Sequence, residues 1–190
     1  MPAQTTSLPA HQASRRASPI ALDGKLDEQD WQVAYVTEGF RQTFPNYLAE
    51  AQGLTRVRIL FDEKNLYVGA RLLKSSPDQK IMTRLNRRDQ RNEGADSFFI
   101  GLDPILSRRS AYVFGVTAAG VQFDFIVNDS QGDRGFDYAW DAVWESAVSI
   151  DDEGWSVEIR IPLSVMKIPI GSSAPWGFNP CRADNGQAKE

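Results

Sequence analysis

TRVRILFDEKNLYVGARL, residues 55–72, is the stretch that decides the fold of this chain. Val57, Ile59 and Phe61 alternate with Arg56 and Arg58, a period of two that buries one face of a strand. Asp62-Glu63-Lys64-Asn65 is a connection of hairpin length, and Leu66 to Leu72 is a second strand-like run, so the two pair antiparallel. Working outward, the same signature recurs at Ser97 to Leu102, Ala111 to Thr117, Val121 to Val127, Val143 to Ile150 and Trp155 to Ile161. Ala118-Ala119-Gly120 is a short turn between two of these runs. A last run begins at Trp176 and ends near Arg182, with Pro180 marking an edge or a strand end.

Upstream, Pro19 to Gly24 reads as a short strand closing in an Asp-Gly turn, and Asp27 as the cap of one helical turn that carries Trp31. Residues 1–18 have no hydrophobic period and read as a disordered lead-in, 19–183 as the folded domain and 184–190 as a polar tail. Lys80 to Gln90 fits a helical face about as well as a loop. Many short strands, little helix and no repeat of ~20–50 residues indicate an all-β antiparallel sandwich, jelly-roll or immunoglobulin-like, with one or two helical turns.

The 190 residues suit one domain, large enough to bury a core without metals or disulfides. A net charge of -4 argues against nucleic acid as partner. Charge is uneven, with ten Lys/Arg and four acids from Leu54 to Arg91, against eight acids and one Arg from Asp129 to Glu153. Those segments either form solvated faces or meet across one polar pocket. The single Cys181 excludes an internal disulfide, and the single His11 leaves it without a catalytic partner. No stretch has the length of a membrane helix, and no signal-peptide core is visible.

The ordered blocks resemble a known family. Leu22-Asp23-Gly24-Lys25-Leu26-Asp27-Glu28-Gln29-Asp30-Trp31 is similar to the opening of family 9 carbohydrate-binding modules and their DOMON-like relatives. The hairpin of 55–69, Asp96 to Asp103, Tyr112 to Asp124 and Gly154 to Pro162 follow in the family's order. Asn86-Arg87-Arg88-Asp89 and Trp140 to Glu145 resemble a branch that precedes an outer-membrane β-barrel. The resemblance implies a sandwich, a sugar ligand, a location in the periplasm or cell envelope, and a barrel domain or partner. This sequence lacks the branch's export signal and stops where its barrel begins, as a separated module or an incomplete reading frame would.

A sugar offers a flat C–H face and a rim of hydroxyls, which proteins meet with aromatic planes and a few polar side chains. Trp140 is the candidate platform and Trp144 is either a second one or core. In Val121 to Val127, Phe123, Phe125 and Val127 share one face, while Gln122 and Asp124 share the other, a candidate concave face. Arg87 and Arg88 either bind hydroxyls or hold the acidic loop of Asp137 and Asp141, and Asp96 either joins them or begins its strand. Arg88, Asp124 and Trp140 should converge on one surface, with Asp96 nearby. Glu158 is expected to pair with an arginine such as Arg71 or Arg182.

Calcium is the one metal candidate, through Asp129, Asp133 and Asp137, although their spacing is not a diagnostic loop. Zinc is excluded by composition, and heme would have only His11, Met82 and Met166 to draw on. Without a nucleophile motif or phosphate loop the chain reads as non-catalytic. The alternative is a structural or interaction domain of a cell-envelope protein with no sugar ligand.

Overall fold

The computed structural model describes residues 11–90, 94–129, 135–169, 171 and 173–185. Ten strands and one short helix follow in the order β1 (Ser14–Arg15), α1 (Gln29–Val33), β2 (Thr55–Phe61), β3 (Asn65–Leu73), β4 (Ser97–Asp103) and β5 (Ser110–Thr117). Then come β6 (Gln122–Asn128), β7 (Gly135–Asp137), β8 (Glu145–Ile150), β9 (Gly154–Pro162), a 3₁₀ turn (Leu163–Val165) and β10 (Gly177–Ala183). They form two five-stranded sheets ordered β1-β2-β3-β9-β8 and β10-β4-β5-β6-β7. All pairings are antiparallel except β1 with β2. The protein is an all-β sandwich.

The period of two does what the sequence requires of it. Val57, Val68, Ala70, Val157 and Ile159 project from the first sheet into one core with Phe98, Ile100, Phe114 and Val116 of the second. Burying such side chains contributes about 1.5–3 kcal/mol each, which drives the layers together. Pro180 lies on the edge strand β10, where a missing N–H leaves no ladder bond unmade on the open side. The Arg182 guanidinium crosses from this edge to the other sheet, donating to the Leu73 carbonyl at 2.8 Å and Thr55 Oγ1 at 3.2 Å.

The N-terminal region differs from the sequence expectation. Residues 1–10 lie outside the described residues, but 11–18 are built onto the sandwich. Ser14 and Arg15 pair with Leu60 and Phe61, Arg16 binds Asp62 at 2.7 Å, and His11 Nδ1 lies 2.8 Å from Thr37 Oγ1. Bonds to partners more than twenty residues away supply the order that local periodicity could not reveal. Pro19 to Gly24 is not a strand. It leads to α1, and Ile20, Trp31 and Ala34 form with Leu60 and Tyr67 a second small core on the outer face of the first sheet. Asp27 is not the cap either, because the N-cap residue of α1 is Glu28. Lys80 to Gln90 contains no helix. It is pinned at both ends, with Asp96 N–H donating to the Met82 carbonyl and Asp89 N–H to the Gln122 carbonyl.

Candidate functional site

Strand β6 positions the centre of the candidate site. Asp124 stands opposite Phe114 in the register, so it shares the inward face of the sheet with that core ring. The alternation read from the sequence holds, but the side that faces the core is the one with Gln122 and Asp124. Phe123 and Phe125 therefore point away from the opposite sheet.

Asp124 is 1% exposed, and protein donors occupy its carboxylate. Oδ1 accepts the Ala142 N–H at 3.1 Å, while Oδ2 accepts Trp144 Nε1–H at 2.8 Å and Arg88 Nη2–H at 2.7 Å. Burial pushes its pKa above the usual carboxylate value, against the opposing pull of the Trp144 and Ala142 bonds and the Arg88 charge. Arg88 spans further, donating to Gln122 Oε1 at 2.5 Å, Asp141 Oδ1 at 2.9 Å and the Ala142 carbonyl at 2.9 Å. Gln122 continues the chain by donating to Ser146 Oγ at 3.0 Å. A planar guanidinium with several donors thus ties the segment before β4, strand β6 and the loop before β8 together at the open edge of the sandwich.

The aromatic side chains adjoin this web. Phe114 meets Trp144 and Trp140 edge-on, with centroids 5.6 Å away in each case, and Trp140 also packs on Tyr112 at 5.3 Å. Trp144 is buried and Trp140 half-buried. Five of the seven sequence candidates, Arg88, Gln122, Asp124, Trp140 and Trp144, thus gather in one region. Arg87 is exposed, its N–H donating to Gln90 Oε1. Asp96 is buried at the start of β4, where its carboxylate accepts the Asn185 and Met82 N–H groups.

Of the calcium candidates, Asp133 lies outside the described residues, and Asp137 accepts the Ala139 N–H. Among the described residues no group of three His, Cys, Asp or Glu is placed to hold a metal ion. Glu158 does not pair with an arginine. Arg71 binds Asp151 and Arg182 binds Asp184, each at 2.7 Å, whereas Glu158 accepts backbone N–H groups and an indole.

Sequence reasoning passed over an aromatic group on the outer face of the second sheet. Phe125 contacts Phe136 at 5.9 Å and Tyr138 at 5.2 Å, and Phe123 lies 6.2 Å from Phe99. The rings were visible as letters, but which side of β6 faces water is a property of the pairing with β5.

No protein-family model and no curated protein sequence matches the chain. Solved structures do. A family 9 carbohydrate-binding module from Caldicellulosiruptor kristjanssonii in complex with cellotriose superposes with a TM-score of 0.59 at 20% identity, over 90% of this chain and 75% of that one. The chain has the fold of family 9 carbohydrate-binding modules. A module of that family from the same organism, in complex with glucose, gives 0.57 at 20% identity, covering 90% and 76%. A protein from Bacteroides uniformis, provisionally designated carbohydrate-binding, gives 0.63 at 12% identity, covering 93% and 83%. At these identities the family 9 likeness is one of backbone layout.

Proposed function

We propose that this chain is a non-catalytic carbohydrate-binding module that takes a mono- or oligosaccharide through an aromatic platform and a polar rim. The observation that carries the reading is the sandwich itself, shared over nine-tenths of the chain with modules solved with cellotriose and with glucose. The Arg88 web suits this role because its groups are already hydrogen-bonded to protein partners, and a polar group held in place loses little freedom on binding. In this reading Arg88 and Trp140 touch the sugar with the exposed Arg87 reaching in beside them, while Gln122 and Asp124 hold Arg88 and Trp144 holds Asp124. A site of this size and polarity binds in the micromolar to millimolar range, about -8 to -4 kcal/mol. Calorimetric titration with glucose and cellotriose, beside a broad glycan array, tests it. Saturable binding supports the reading, and silence across plant, bacterial and algal glycans overturns it.

One observation favours a second reading, an interaction domain of a cell-envelope assembly. The hairpin joined by the Arg41–Glu50 bridge carries Phe44 at 85% and Tyr47 at 75% exposure on a tip without charge from Gln42 to Ala49. Exposed apolar groups of this kind mark contact surfaces. In that reading Phe44→Ser and Tyr47→Ser disrupt association with an outer-membrane barrel partner, and Arg88 substitutions do not.

A further inference from the structure

The outer face of the β10-β4-β5-β6-β7 sheet is unlike an ordinary solvated face. Phe99, Phe123 and Phe125 project from β4 and β6 on the side away from the core, as the pairings Phe99 with Gly115 and Gly115 with Phe123 show. Gly115 is required here, because a Cβ at that position would stand 2.0 Å from the Phe123 ring. The ring therefore lies flat across β5 toward Phe99. At the β7 edge, Phe136 and Tyr138 remain 48% and 44% exposed with ring planes 17° apart.

Charge separates this face from the Arg88 edge. Among the described strand residues that share it, the one formal charge is Asp103, which is buried and accepts the Arg108 N–H and the Ser107 hydroxyl in the turn after β4. Asn179, beside Gly101 on β10, is an exposed amide. Aromatic planes with an amide and no exposed charge among the described strand residues of this face complement a neutral sugar polymer and offer nothing to an acidic one. Shape adds a second constraint. A sheet face is open across its strands, so it accommodates a chain that continues in both directions, whereas recognition of a chain end needs a wall that stops it.

The geometry points to this outer face as a surface that binds the interior of a neutral polysaccharide chain, with the near-parallel Phe136 and Tyr138 rings as its stacking groups and Phe125 tilted against them at 63° and 48°. The inference rests on the carbohydrate reading, names the substrate class, and adds a second contact surface to the one at the Arg88 edge.

The test is calorimetric titration with cellohexaose, mannohexaose, xylohexaose and chitohexaose. Each is used intact and after borohydride reduction of its end, beside glucose and polygalacturonate. At least one hexamer is expected to bind, equally well after reduction, and at least tenfold more tightly than glucose or polygalacturonate. The Phe136→Ala/Tyr138→Ala double variant should bind it at least tenfold less tightly, with its unfolding midpoint close to the parent's because both rings are about half exposed. Loss of binding on reduction, unchanged binding by the double variant, equal affinity for polygalacturonate, or binding of glucose alone overturns the inference while leaving the carbohydrate reading intact. Silence with these probes and across the glycan array overturns both.

Discussion

Glu158 and Asp124 are two carboxylates buried to the same degree, at 0% and 1% exposure, and each accepts an indole N–H. Their surroundings differ in one respect. Asp124 lies at the open edge of the sandwich, where the Arg88 guanidinium can reach it while staying partly in water. Glu158 lies on the outer face of the first sheet beneath the N-terminal cap, where it accepts Gly24 N–H at 2.8 Å, Asp23 N–H at 2.9 Å and Trp31 Nε1–H at 2.9 Å. Its nearest charged influence is another acid, Glu28. Dipoles alone compensate one carboxylate, and dipoles with a cation the other. Burial pushes the Glu158 pKa up to about 7 despite its three donors, so the dipoles do not fully replace lost water. Both groups are staples between distant segments and burial raises the pKa of both, but at Asp124 a cation opposes the shift that at Glu158 only dipoles oppose.

The largest way to break this comparison is Glu158→Ala. It leaves two backbone N–H groups and an indole N–H buried without acceptors and opens a void beneath the cap, a loss of about 3–5 kcal/mol. Chemical denaturation should show it, and a loss under 1 kcal/mol would mean that the cap holds through its apolar contacts alone.

The pH dependence comes next. With a folded value of about 7 and an ordinary value of 4.5, Glu158 keeps in the native state a proton that the unfolded chain has released. Its contribution is therefore fully present below the ordinary value and is lost as pH rises through the folded one, by about 3 kcal/mol at most. Glu158→Gln should remove this slope while keeping one acceptor for the cap. Identical pH profiles for parent and variant would place the titration elsewhere.

Asp124→Ala is expected to cost less, about 2–3 kcal/mol, because Arg88 retains Asp141, Gln122 and the Ala142 carbonyl, leaving chiefly the Trp144 and Ala142 N–H groups orphaned. A cost equal to that of Glu158→Ala would show that the cation stabilises the pair far more than a half-exposed guanidinium should. Arg88→Gln should have the smallest effect, about 1–2 kcal/mol, since the cation's own head is partly solvated and the buried Asp124 carboxylate keeps the Trp144 and Ala142 donors. In the proposed function it nevertheless weakens sugar binding, and a variant of parental stability and parental affinity would deny Arg88 both the structural and the ligand role.

The site was legible in part. Arg88, Gln122, Asp124, Trp140 and Trp144 could be singled out because their residue types suit a sugar, and the charge asymmetry between 54–91 and 129–153 anticipates the contact of Arg88 with Asp141. What each atom is used for was not legible. The Asp124 oxygens accept donors from residues 88, 142 and 144, and no local pattern announces a bond that spans 36 residues. The expected pairing of Glu158 with Arg71 or Arg182 failed for the same reason, since each charge found a partner that chain geometry had brought closer.

By itself the sequence determined the longer strands, because alternation at a period of two is a local property that any antiparallel pairing must respect, as residues 55–72 do, whereas the short β1 and β7 carry no such period. It also determined that two such layers must close on one another, since an apolar face has nowhere else to go. Only the tertiary structure decided which face of β6 looks inward. Both faces of that strand carry groups able to be buried, aromatic on one and hydrogen-bonded polar on the other. The choice was made by Phe114 across the register and by the Trp144 and Arg88 donors waiting for Asp124, and it left Phe123 and Phe125 on the outer side.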